Sequence, residues 1–527
     1  MTEKCKRLQS LSMVYRLTRS KWKYRHEVRR SSIAILCLLV GATLVGVALA
    51  GRSLADTSER WWAPGADRVL PKSLSYADDT GVTTLLNLGG PTKTSGHPFF
   101  TPLGANGRAC VTCHQPADGM SLSVATIQSR WQATAGKDPL FAAIDGSNCP
   151  SLPQGEQASH SLLVLHGLFR IARPWPPHGP DGKDLVPQFT IEVVRDPSGC
   201  NLDKVYGLRS PRPMLSVFRR PRPAVNLKYV TAVGYDFEPK NGLPLPIDPK
   251  TGRRMSGNIL ADSRAGTLEE QALDAIRSHL EAHGKPNQSQ IDAILAFETQ
   301  LFAAQSADFV GGMLNEGGAL GGPATLADSK AGVLKNAQHP QWEEFTAWEK
   351  PSDATPETQR EFRESVARGA ALFRDRTFLV SDNAGINSMN FGNPTRDNCN
   401  FCHNMTRTGM DVAPGQVDLG TTNEPHADPQ PDLPLFKLTC DPKYAPHPFL
   451  GAVVYTHDPG FALTTGKCVD IGKITIQSMR GLAARPPYFS NGSAPNLRAV
   501  VEYYNRRYQI GLTEQEMQDL TNLMSVL

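Results

Sequence analysis

Apolar residues recur at helical spacing in six stretches of this chain, and those stretches carry most of its predicted order. The periodicity predicts helices over 124–135, 267–282, 289–304, 355–373, 497–504 and 513–527. Thr267 with Glu270, and Thr513 with Glu516, make capping-box patterns at two of the starts, while Gly284 and Pro286 stop the second helix. The last helix puts Met517, Leu520, Leu523 or Met524, and Leu527 on one face. Gly369 and Phe373, a small residue beside a large one on the 355–373 helix, suit a close helix crossing. Between these stretches the pattern breaks down. Residues 56–109 carry Gly-Gly-Pro and Gly-His-Pro signals and predict loop with at most one short helix; 150–260 is dense in turn and polyproline signals, and 311–322 is glycine-rich. FTIEVV, 189–194, is the clearest strand. PPYFSNGS, 486–493, reads as a tight loop ahead of the fifth helix.

At 527 residues the chain has room for two to four domains. Composition is ordinary at 40% hydrophobic and 20% charged, but 45 Gly and 41 Pro announce much irregular structure. The net charge of +4 is unevenly placed: residues 1–55 hold eleven Lys/Arg against Glu3 and Glu27, so the leader carries +9 and the remainder −5. A mildly acidic body gives no footprint for nucleic acid or an anionic membrane surface.

The basic start runs into an uncharged apolar stretch at 33–50, followed by small-residue cleavage patterns at Ala48-Leu49-Ala50 and Ser53-Leu54-Ala55. This is an export-signal pattern. Eighteen apolar residues also border on a membrane span, so a retained N-terminal anchor stays open, as does Met13 as the true start. Either way the positive-inside rule puts the body outside the cytoplasm, in the periplasm.

The candidate chemistry lies in two short boxes, Cys110-Val111-Thr112-Cys113-His114 and Cys399-Asn400-Phe401-Cys402-His403. C-x-x-C-H is a c-type haem attachment pattern: two thiols at this spacing can form thioethers to both vinyl groups, and the adjoining His offers its imidazole to iron. A zinc half-site or a redox C-x-x-C pair is the alternative for one box alone; two boxes, each with its His directly following, favour haem. Cys149, Cys200, Cys440 and Cys468 remain outside the boxes and the leader, and pair locally as Cys149–Cys200 and Cys440–Cys468 in an oxidising compartment, against four free buried thiols. Five arginines cluster between Arg209 and Arg222; such a run is usually a solvated face, but it could hold haem propionates or a partner's carboxylates. His97 and Met120, near the first box, are structural in the plainer reading and axial ligands in the other.

ARGAALF (367–373), CNFCH (399–403) and RPPYFSNGSAPNLRAVVEYYN (485–505) resemble the C-terminal module of the bacterial di-haem cytochrome c peroxidase and MauG superfamily. The likeness covers about 362–527 well. It covers the first half thinly, through GRACVTCHQP (107–116) and DSRAGTLEEQALDAIRSHLEA (262–282). It implies a mainly α fold of two c-type cytochrome modules; with the leader at 1–55 and the Pro/Gly-rich stretch read above, the expected domains are a first haem domain at 56–345 with an insertion at about 150–260 and a small β element, and a second haem domain at 355–527. It places the family's pocket glutamine on Gln271 and its acid/base glutamate on Glu281, with His279 a further distal candidate at the first haem. A carboxylate there can move a proton between the peroxide oxygens. The solvated-helix reading of both residues stands beside this one. For the second haem the resemblance implies Met479 as the sixth ligand, with Met405, Met410 and Tyr488 as competitors. One departure matters: the tryptophan that the family uses between its haems is missing, and Leu260-Ala261-Asp262 stands there.

The resulting expectation is an exported di-haem c-type cytochrome that reduces hydrogen peroxide at the first haem. Electrons arrive at the second haem from a small c-type cytochrome or cupredoxin, and a bridging calcium is a further cofactor allowed by the family. The rivals are oxidation of an organic or protein substrate, as in MauG or the di-haem rubber oxygenases, and pure electron transfer between two closed haems.

Overall fold

The computed structural model describes residues 60–179, 182–231, 247–248, 250, 252, 255–328, 342–389, 391–410 and 415–527. The predicted export signal or anchor, with its apolar run at 33–50, lies outside the described residues. Among the described residues no helix is long and apolar enough to cross a membrane.

In chain order the main elements begin with a hairpin, β1 (Ser73–Ala77) and β2 (Gly81–Asn87), followed after the first C-x-x-C-H box by α1 (Val124–Thr134). Strands β3 (Phe169–Pro174), β4 (Phe189–Arg195) and β5 (Met214–Arg219) come next. Helices α2 (Leu268–Ser278) and α3 (Gln288–Thr299) run into β6 (Leu301–Asp308) and the two-residue β7 (Gly312–Met313). The second half has the long α4 (Glu357–Asp375), then β8 (Leu435–Cys440), β9 (Val453–Thr456), α5 (Leu497–Tyr508) and α6 (Glu514–Ser525).

The mainly α expectation is corrected here. Helix accounts for 31% and strand for 18%, and the strands form six sheets among the described residues. Two misreadings account for much of the difference. Residues 73–87 looked like loop because Asp78-Asp79-Thr80-Gly81 interrupts them, but those residues are the turn of a hairpin: the Asp78 carboxylate accepts from the amides of Thr80 and Gly81 at 3.0 and 2.8 Å. Residues 301–304 looked like the end of a helix. Instead α3 stops at Thr299 and Leu-Phe-Ala-Ala extends to pair with β2, Leu85 opposite Ala303, in a four-stranded sheet of order β1-β2-β6-β7. Helix propensity there is outweighed by a partner strand more than two hundred residues away.

FTIEVV does form β4, and its partner comes from the other half of the chain. β4 pairs antiparallel with β8, Phe189 opposite Cys440 and Leu438 opposite Ile191, giving a sheet of order β9-β8-β4. Residues Arg60–Leu527 accordingly form one compact unit. Cys440 is disulfide-bonded to Cys468 beneath this sheet, and Cys149 to Cys200.

Helices α4 and α6 cross as closely as the Gly-Phe pattern predicts. A Cβ on Gly369 would lie 2.2 Å from the Asp519 carbonyl oxygen, so glycine is required. The crossing is pinned by Ser365 and Arg368, which donate to the Asp519 carboxylate at 2.6 and 2.9 Å. Val366 and Leu523 are fully buried in this core, each contributing on the order of 1.5–3 kcal/mol. Cys399 of the second C-x-x-C-H box packs against it.

Candidate functional site

Each C-x-x-C-H box coils into a single tight turn that turns its two thiols and its imidazole toward one cavity. At the first box, the amides of Cys113 and His114 both donate to the Cys110 carbonyl, at 3.2 and 3.1 Å. At the second, the Asn398 side chain caps the turn by accepting from the Phe401 amide at 3.0 Å, and His403 donates to the Cys399 carbonyl at 3.0 Å. The cavities contain about 1530 and 1610 Å³ of space free of atoms, open mouths included.

The two histidines are held alike. His114 Nδ1 lies 3.1 Å from the Met120 carbonyl oxygen, and His403 Nδ1 lies 3.2 Å from that of Gly409. A bond from Nδ1–H to a carbonyl fixes the tautomer with Nε2 as the free acceptor, the form that binds iron. Burial works the same way, lowering His403 and bringing His114 down to about 4, so both rings are neutral at ordinary pH. Burial also raises the thiols, Cys113 and Cys399 to about 12 and Cys110 further. A redox C-x-x-C needs the opposite, a stabilised thiolate. Among the described residues no three or more His, Cys, Asp or Glu side chains gather as they would around a metal ion, so neither box has the further ligands of a zinc site. Large apolar cavities, protonated thiols and neutral, carbonyl-anchored imidazoles fit a covalently held haem at both places.

The first cavity is bordered by Gln271 and His279 but not by Glu281. Glu281 stands behind Leu280, where its Oε2 accepts from Asn106 Nδ2 at 3.0 Å. His279, two residues earlier, is on the wall, with Nδ1 2.5 Å from Asp145 Oδ2. The other oxygen of Asp145 pairs with Arg108, which is fully buried and also donates to the carbonyls of Pro139 and Leu140 at 2.7 and 2.6 Å. Burial alone would raise the Asp145 carboxyl; Arg108 and His279 outweigh it and hold it below its ordinary value.

Glu298, near the end of α3, is a second acid on this wall that the sequence did not single out. It is 5% exposed, its Oε2 has no hydrogen-bond partner, and burial pushes it up to about 8. Met410, considered for the second haem, borders the first cavity instead, and Met405 sits in the α4–α6 core. His97 packs against Phe100 and Phe297, with its ring centroid 5.1 Å from that of Phe297. Met120 serves the site through its backbone, as the acceptor for His114.

At the second cavity Met479 lies on the wall, pressed against Gly409. A Cβ there would fall 2.7 Å from Met479 Cγ, and with φ at +82° only glycine serves comfortably. The side chain that meets His403 Nε2 is Tyr504, its hydroxyl 3.5 Å away. Tyr488 also lines this cavity, its hydroxyl donating to the Leu482 carbonyl at 3.0 Å.

The two cavities share a wall. Arg220, Pro221, Gln477 and Ser478 border both. The Leu260-Ala261-Asp262 segment abuts it, since Thr475 donates to the Leu260 and Ala261 carbonyls at 2.8 and 3.0 Å. Asp262 itself is spent on arginines: Arg219 and Arg264 reach it at 2.7 and 2.8 Å.

No protein family, curated protein or solved structure matches the chain.

Proposed function

We propose that the chain is an exported di-haem c-type cytochrome that reduces hydrogen peroxide in the periplasm, with electrons from a small c-type cytochrome or cupredoxin. One observation carries the reading: the same construction occurs twice, a C-x-x-C-H turn on a large cavity with a neutral histidine anchored through Nδ1 to a carbonyl. Cys110, Cys113 and His114 would hold one haem, and Cys399, Cys402 and His403 the other.

Bound haem supplies the iron at which a peroxide O–O bond is cleaved. The chain's own contribution in the first cavity is orientation and proton handling. Gln271 offers an amide that can orient a small polar substrate. His279 has Nδ1 committed to Asp145, which leaves Nε2 to exchange a proton with the cavity. Glu281, the residue implied by the resemblance, is held by Asn106 at the margin and is better placed to relay protons from outside. The second cavity, with Met479 on its wall and Tyr504 beside the imidazole, suits a closed electron-storing centre.

That position of Glu281 also favours a second reading, oxidation of an organic or protein substrate as in MauG or the rubber oxygenases. The test is a resting spectrum of the mature protein with and without cyanide, followed by stopped-flow mixing with peroxide. A high-spin, cyanide-binding haem that turns over peroxide with a donor cytochrome supports peroxidase. Reactivity without such turnover supports the second reading. Two closed low-spin haems inert to both reagents leave an electron carrier.

A further inference from the structure

The wall between the cavities is cationic and short of counter-charges. Arg220 is 8% exposed and Arg485 7% exposed. Arg220 donates to the carbonyls of Gly167, Leu122, Arg485 and Pro486 at 3.1, 2.5, 3.2 and 3.3 Å. Arg485 donates to those of Ser478 and Arg480 at 2.7 and 3.3 Å, and Arg222 to that of Thr475 at 2.7 Å. Among the described residues no carboxylate lies within ion-pair distance of any of the three. The Nε groups of Arg222 and Arg485 are buried without a partner. Nearby Arg219 shows the contrast, paired with both Asp458 and Asp262.

Guanidinium stays protonated in proteins, so a buried guanidinium without an anion is an unmet demand for one. Burial weighs against the charge on all three, most on Arg220, where neighbouring Arg485 adds to it, and on Arg222, where Arg219 does. Their positions divide cleanly. Arg222 borders only the first cavity, Arg485 only the second, and Arg220 both.

We propose that these arginines form a carboxylate-binding wall between the cavities, with Arg220 shared, so that the propionate groups of the two haems are bound to one cation and the two centres are electrostatically coupled through it. This rests on the two-haem reading above. It also gives the missing tryptophan a replacement of a different kind: a common charge in place of a bridging ring.

The test is a spectroelectrochemical titration of the holoprotein, with the two haems assigned from C110A/C113A and C399A/C402A proteins that each retain a single haem. Removing a cation beside a haem favours the ferric state and lowers its potential. Arg222→Gln is expected to lower the reduction constant of the first haem about tenfold, 59 mV for a one-electron couple, and Arg485→Gln that of the second. Arg220→Gln should lower both. Arg220→Lys, which keeps the charge, should restore most of the shift. If R220Q moves one haem or neither, or if R222Q and R485Q move both alike, the shared wall is wrong. Should R220Q fail to assemble, the selective pair R222Q and R485Q decides alone: shifts confined to the expected haem support the wall, and any other pattern overturns it. A wild-type protein that carries fewer than two covalent haems overturns the two-haem reading instead, and is seen beforehand in the haem count.

Discussion

Asp145 Oδ2 lies 2.5 Å from His279 Nδ1, and this contact ties a wall residue of the first cavity to a cation buried 37 residues earlier in the chain, Arg108. Breaking one member of a buried pair strands the other. Asp145→Asn is therefore expected to cost about 3–5 kcal/mol in chemical denaturation, and Arg108→Met added to it should recover part of the loss. A D145N protein as stable as wild type would show that Arg108 finds other partners.

Glu298 gives a pH dependence of definite sign. Its folded value of about 8 exceeds the roughly 4.3 of an unfolded glutamate, so the native protein keeps a proton that the unfolded chain releases. Its contribution is fully present below about pH 4.3 and is lost as pH rises through 8, at up to about 1.4 kcal/mol per unit. Glu298→Gln lacks this loss, and its stability relative to wild type should climb steadily between pH 5 and 8 in urea titrations. Parallel curves would place the proton elsewhere.

What could be read from the sequence was what is local. The two C-x-x-C-H turns, the Thr267 and Thr513 caps, and the Gly369 crossing are each specified within a few residues, and each appears in the structure. The strand at 189–194 was legible, but its partner β8 was not, and β6, whose partner β2 is equally distant, reads as helix from its local pattern. For the same reason Asp145 could not be linked to His279, which is 134 residues away. Glu298 did carry a signal, an acid at the end of the apolar run Ala-Ile-Leu-Ala-Phe, on the helix face that Ile291 and Ile294 bury.

On the two-haem reading, Met479 and Tyr504 in the second cavity make opposite predictions. If Met479 is the sixth ligand, Met479→Leu abolishes the methionine–iron charge-transfer band and lowers that haem's potential, while Tyr504→Phe leaves both in place. If Tyr504 holds the position instead, the wild type lacks that band, Met479→Leu leaves the spectrum unchanged, and Tyr504→Phe alters it.

The Cys149–Cys200 bond closes a segment of 51 residues. Its loss in Cys149→Ala/Cys200→Ala should lower stability by about 2–4 kcal/mol. Thiol titration of the denatured, unreduced holoprotein should find no reactive cysteine at 149, 200, 440 or 468; four reactive groups there would refute both bridges.

The pairing of β4 with β8 fixes more than topology. Because backbone hydrogen bonds stitch the first half of the chain to the second, the two cavities cannot drift apart as modules on a linker could. An electron crossing between them would meet a barrier of constant width, and its transit time would be insensitive to solvent viscosity.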